Sequence, residues 1–188
     1  MIDRRDALAG MAAMFGAAIF PPIARAGGFV PAVLPQISTG APSAPVFTAS
    51  QRALMTQLSE RVMPTTDTPG AIAAEVPAYI EKLLADWSFP EERKPIIAGL
   101  DAMDAASRAQ FGKPGTEASA EQLDALLTQA MNDKLPGGSG FFEPFRQMVL
   151  TGYFTSEIGI TQEREYLPVP GGYNGAYPVS EITKVFSS

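Results

Sequence analysis

Ser119-Ala120-Glu121-Gln122-Leu123-Asp124-Ala125-Leu126-Leu127-Thr128-Gln129-Ala130 is the stretch that decides the fold class. Its first four residues make a capping box. The Ser119 hydroxyl is placed to accept from the amide three residues on, and the Gln122 side chain to answer the Ser119 amide. Leu123, Leu126, Leu127 and Ala130 then recur at the spacing that keeps one helix face apolar. A helix is predicted from Ser119, closing before Pro136-Gly137-Gly138.

The same grammar extends in both directions. Upstream, Pro90-Glu91-Glu92 suits a helix N-terminus, Ile96, Ile97, Leu100 and Met103 share a face, and Gly112 ends the helix after Phe111. Another helix runs from near Val76 to Trp87, with Pro77 tolerated in its first turn and Val76, Ile80, Leu83, Leu84 and Trp87 on its apolar face. The first spans about Ser50 to Met63, carries Leu54, Met55, Leu58 and Val62, and stops at Pro64. Thr65 to Gly70 is a turn cluster. Downstream, Phe141 to about Phe154 is apolar nearly all round, which predicts a helix either buried or facing a partner.

Outside these helices the rhythm is lost. Pro31, Pro35, Pro42 and Pro45 punctuate residues 27–47, and Pro168, Pro170, Gly171-Gly172 and Pro178 punctuate residues 156–188. The expected fold is therefore mostly α, a single helical domain of about five helices with long irregular N- and C-terminal arms. The arms are 27–47 and 156–188, the helical core 48–155. Phe29, Val30, Val33, Leu34 and Ile37 make the first arm more apolar than a plain linker, so packing and disorder both stay open for it. No repeat of solenoid length is present.

Residues 1–26 read as an export signal. Arg4-Arg5 with Leu8 fits a twin-arginine address, Ala7 to Phe20 is a weakly apolar stretch too short to span a membrane, and Ala24-Arg25-Ala26 offers an A-x-A cleavage site. Pro21-Pro22 opposes a helix continuing into the fold. The expectation is a mature chain of residues 27–188 in the periplasm, without a membrane span of its own and membrane-associated only through partners.

The chain contains no His and no Cys, and its formal net charge is −6. That composition removes the commonest general base, Ser-His and Cys-His nucleophile pairs, Cys-ligated clusters and His-ligated metal or haem sites. No basic stripe is available for a phosphate backbone, so no nucleic-acid partner is expected. Asp101 and Asp104, three apart on one helix, are either paired carboxylates or a solvated face. The solvated face is the better reading. The glycine-rich stretches fit neither a P-loop nor a dinucleotide fingerprint and read as turns. Trp87, Tyr153, Tyr166, Tyr173 and Tyr177 suit either a platform that stacks a sugar or a flavin ring or interface anchors, and with no acid–base group among them the interface is favoured.

Leu58-Ser59-Glu60-Arg61-Val62-Met63-Pro64, Asp67-Thr68-Pro69-Gly70-Ala71, Glu75-Val76-Pro77 and above all Gly152-Tyr153-Phe154-Thr155-Ser156-Glu157-Ile158-Gly159 follow one another in a distinctive order. Tyr166, Pro168-Val169-Pro170-Gly171 and Tyr173-Asn174-Gly175 continue it. From Leu58 to Tyr173 the chain resembles the gluconate 2-dehydrogenase subunit 3 family. These are small subunits of bacterial flavin-dependent dehydrogenase complexes, in which a twin-arginine leader is usual. The resemblance implies a non-catalytic chain with no cofactor of its own. Its partner would be a large FAD-binding subunit of the glucose-methanol-choline type that oxidises a sugar, sugar acid or glucoside. A cytochrome c subunit with haem c commonly takes the electrons. On this expectation Tyr153, Glu157, Tyr166 and Tyr173 anchor the partner interface, Tyr166 and Tyr173 having the alternative of folding back onto the helices. The competing expectation is a free-standing periplasmic carbohydrate-binding module.

Overall fold

The computed structural model describes residues 41–138, 140–167, 171 and 175–187. Five α-helices lie among them: α1 (Ala49–Val62), α2 (Val76–Asp86), α3 (Pro90–Phe111), α4 (Ala120–Met131) and α5 (Phe142–Phe154). The mostly α fold with irregular stretches outside the helices is as expected.

Local chemistry sets each boundary. The Ser119 hydroxyl accepts from Gln122 N at 3.3 Å, and Ser119 N donates to Gln122 Oε1 at 2.9 Å, closing the box at the start of α4. A second box opens α1, where Thr48 Oγ1 accepts from Gln51 N and Thr48 N donates to Gln51 Oε1. At α3 the Glu92 carboxylate accepts from Phe89 N at 2.9 Å, and Gly112 leaves the helix at φ 71°. A left-handed residue there lets the chain turn away while its amide bonds back to Arg108 O. Glu75 takes the same left-handed region, φ 56°, just before α2, at the cost that a Cβ brings to it.

Helices α1 and α5 each pack against all four others, so the core is gathered around this pair. Leu54, Met55 and Leu58 from α1 meet Ile80 and Leu84 of α2, Ile96, Leu100 and Met103 of α3, Leu126 of α4, and Phe145, Val149 and Tyr153 of α5. Phe141 precedes α5 and stacks on Phe145 with ring centroids 5.1 Å apart. Gly99 makes room for it: a Cβ at Gly99 would fall 2.1 Å from the Phe141 ring. Of the two roles open to the apolar α5, its Phe145, Val149, Gly152 and Tyr153 stripe is buried, while Glu143, Pro144 and Gln147 face solvent.

Past α5 the chain makes one π-helical turn, Gly159–Glu163, a form the sequence rhythm does not announce. Glu165–Tyr166 (β1) then pairs in parallel with Phe186–Ser187 (β2), with Glu165 opposite Phe186 and Tyr166 opposite Ser187. Every residue from Gly175 to Phe186 is exposed. The first forty residues lie outside the described structure, and with them Arg4, Arg5, Leu8, Ala24, Ala26 and most of the first arm.

Candidate partner interface

The loop between α1 and α2 ties several elements together. Glu60 of α1 receives Thr65 N (2.9 Å) and Thr65 Oγ1 (2.7 Å) on one oxygen and Ile72 N (2.9 Å) on the other. Burial pushes its carboxyl up, but the three donors outweigh that and hold it below the usual carboxylate range. Gly70 sits where a Cβ would meet Glu60 Oε1 at 2.4 Å, so a side chain there would displace the carboxylate from its loop. The tail reaches the same loop through Thr68 Oγ1, which donates to Glu163 Oε2 at 2.6 Å.

Tyr153 also serves this loop. Its side chain is 1% exposed, and its hydroxyl donates to Pro69 O at 2.8 Å. The expectation that Tyr153 is a partner anchor is corrected by that burial. The ring fills the core between α5 and the loop and presents no surface to a second chain. Glu157 and Tyr166 stand in solvent, Glu157 one turn past α5 and Tyr166 on β1. Tyr173 lies outside the described residues. Of the other aromatics, Tyr177 is exposed on the tail, and Trp87 stands past the end of α2, half exposed rather than on its buried face.

The acidic pair resolves as structural. Asp101 accepts from Gln51 Nε2 at 2.6 Å, tying α3 to α1. Asp104 accepts from Gly115 N and pairs with Arg108 at 2.8 Å. The two carboxylates thus serve different partners, and among the described residues no three acidic groups gather as a metal site. Two cross-helix pairs stiffen the body. Arg52 binds Glu81 through both Nε (2.7 Å) and NH2 (2.6 Å), and Arg61 grips Asp124 in the same forked way. The Arg52 hydrogen bonds hold the Glu81 carboxyl low, and the Arg61 hydrogen bonds do the same for Asp124.

The exposed apolar surface is concentrated at two places. One is the corner between α2 and α3, where Trp87 is joined by Phe89, 73% exposed. The other is the tail, with Tyr166, Tyr177, Val179 (81% exposed), Ile182, Val185 and Phe186. A cleft of about 460 Å³ lies beside the tail, with Asp67, Thr68, Phe154, Glu163, Arg164 and Lys184 among its lining. Phe89, Val179, Val185, Arg164 and Lys184 carry no motif that marks them in the sequence. Their signal is spatial, namely large apolar groups in solvent and cations that form no salt bridge among the described residues.

No described helix is long and apolar enough to cross a membrane. No curated protein and no solved structure matches the chain. The family model of gluconate 2-dehydrogenase subunit 3 matches residues 49–171, from the first residue of α1 to the tail glycine beyond β1. Helices, the α1–α2 loop and the first tail strand thus fall within one match, and the chain belongs to the gluconate 2-dehydrogenase subunit 3 family.

Proposed function

We propose that this chain is a non-catalytic small subunit of a periplasmic dehydrogenase complex, bound to a large FAD-dependent subunit of the glucose-methanol-choline type. The observation that carries this reading is the exposed tail. It holds Tyr166, Tyr177, Val179, Ile182, Val185 and Phe186 in solvent, apolar surface that the helical core does not use and that a partner would cover. The family match and the absence of His and Cys support it. In this reading the chain stabilises the flavoprotein and carries it, already folded, through the twin-arginine translocon on Arg4-Arg5 and Leu8, with cleavage after Ala24-Arg25-Ala26. FAD stays in the large subunit, haem c in a third, and the complex reaches the membrane through those partners. Glu157, Tyr166 and Tyr173 remain the proposed anchors. The carbohydrate-binding alternative is weaker, because burial of Tyr153 removes one stacking surface and leaves the rest scattered.

Co-expression with the neighbouring genes tests the subunit reading. A yellow, flavin-containing complex that co-purifies with this chain is expected, and a colourless monomer in the neighbours' presence would reject it. For the carrier role, replacing Arg4 and Arg5 by Lys should empty the periplasm of dye-linked dehydrogenase activity. Undiminished periplasmic activity would rule that role out.

A further inference from the structure

The arginines of the described residues divide five to one. Arg52, Arg61, Arg108 and Arg146 each grip a carboxylate, and Arg93 donates to Ala85 O and Ser88 O. Arg164 is the exception. Its guanidinium carbon lies 4.7 Å from the centre of the Phe154 ring, so one face is held by the aromatic while no carboxylate among the described residues meets its N–H groups. A stacked guanidinium is fixed in plane, and its fork of donors matches a carboxylate in two-point fashion.

Arg164 lines the cleft, and the other charges there narrow the occupant. Glu163 already accepts from Thr68, and Asp67 from Thr66 Oγ1 at 2.9 Å. Lys184 donates to Gln162 O, two residues before Arg164, and adds a second positive charge to the lining. Two acids and two cations thus line the space, the acids already holding threonines and Asp67 also under the charge of Lys184, so the Arg164 fork is the group left to an incoming carboxylate. The cleft is also bounded by the tail strand. Glu165 N bonds Val185 O, and the alternation of an extended strand turns the Phe186 amide and carbonyl to the other edge, beside the exposed Val185 side chain.

Building on the subunit reading above, we propose that this cleft receives an Asp or Glu side chain of the flavoprotein subunit. That side chain is borne on an extended segment lying along the tail strand, with Arg164 gripping its carboxylate. The chemistry is a charge-assisted fork like those of Arg52 and Arg61, made between chains instead of within one. Charge complementarity chooses this occupant: Lys184 already acts on Asp67 and Thr68 already donates to Glu163, which leaves the Arg164 fork as the cation of this cleft that meets no carboxylate among the described residues, beside the exposed Val185.

The test titrates the full-length chain with the flavoprotein subunit encoded beside it, at low and high salt. Arg164→Glu and Arg164→Gln should each weaken binding at least about tenfold and flatten its salt dependence, Arg164→Lys should restore part of the affinity, and Lys184→Glu, at the second cation of the lining, should weaken it too. Melting curves of the free variants serve as the folding control, and Lys184→Glu keeps the test decisive if an Arg164 variant is unstable. Wild-type affinity and salt dependence in both Arg164→Glu and Lys184→Glu would overturn the inference while leaving the subunit reading intact. No complex with the wild-type chain would overturn that reading and the inference with it. Sodium gluconate is the small-molecule arm. A thermal shift with gluconate that Arg164→Gln abolishes would reassign the cleft to a free sugar acid and overturn the docking role, whereas no shift accords with it.

Discussion

The helical body and the C-terminal tail use the same residue types to opposite ends. In the body, aromatic and aliphatic side chains close on one another: Phe141, Phe145 and Tyr153 are sealed among the leucines of α1, α3 and α4. In the tail, Tyr166, Tyr177, Val179, Ile182, Val185 and Phe186 all face water, and the strand pairing that brings the tail back is two residues long. Isolated two-stranded pairs are marginal, and parallel pairs are normally covered on both faces. The body's apolar pattern is thus consistent with its own fold, whereas the tail's becomes consistent only when something covers it. Substitutions that separate the two regions should follow that division.

The largest effect is expected at Tyr153, the residue where the distinction corrects a sequence expectation. Tyr153→Ala removes a ring that is 1% exposed and frees Pro69 O. The expected loss is about 3–5 kcal/mol, the usual range for an aromatic truncated in a core. Urea unfolding measures it. A loss under about 1 kcal/mol would mean that the body does not close around this ring as described.

Arg52→Ala comes next. It strands the Glu81 carboxylate, whose side chain is 8% exposed, but Arg52 itself is 44% exposed, so the effect should fall below that of a fully buried pair. A loss smaller than that of Tyr153→Ala is expected, and the double variant with Glu81→Gln should recover part of it. Recovery is the informative outcome, because it separates a stranded charge from lost packing.

How far the sequence announces these residues depends on how far away their partners lie. Helix limits come through well, because Pro64, Pro90, Gly112 and the Ser119 box act within a turn of themselves. The Thr48 box escapes notice because it follows directly on the proline-punctuated arm, two residues before the apolar spacing suggests a helix start. Tyr153 reads as an aromatic with a polar tip, equally suited to an interface. Only its acceptor, 84 residues away at Pro69, shows that the tip points inward. Arg164 is harder still, since what distinguishes it is that no carboxylate among the described residues pairs with it. Helix boundaries are local information, while partner availability is tertiary, and the candidate interface is made almost wholly of the second kind.

A smaller effect is expected on acidification. The Asp86 carboxyl is lowered to about 2, chiefly by its hydrogen bonding with Ser43 and then by Lys82. A carboxyl depressed in the folded state contributes fully above its unfolded value of 3.8 and loses that contribution as pH falls from there towards 2. Melting temperature should therefore decline across that window, and Asp86→Asn should make the decline shallower. The same slope in both proteins would show that Ser43, at the start of the described chain, is not held at α2 in solution.

The smallest effect on the fold, and the most telling for the comparison, belongs to the tail. Val179 is 81% exposed and Val185 69%, so replacing both by Ser removes almost no buried surface from the free chain. Stability should change by no more than about 0.5 kcal/mol, the range of ordinary surface substitutions, which is about 1–2 °C in melting temperature for a domain of this size. Binding should respond quite differently. A valine buried at an interface contributes roughly 1.5 kcal/mol or more, so losing two should weaken association with the flavoprotein at least about tenfold. Calorimetry on the free chain and titration with the partner measure the two halves separately. If the free chain melts markedly lower, the valines support the body after all and the tail is part of the fold. If neither quantity moves, the tail's apolar surface is covered by nothing, and the division between a self-sufficient body and a partner-dependent tail fails at the residues where it is drawn most sharply.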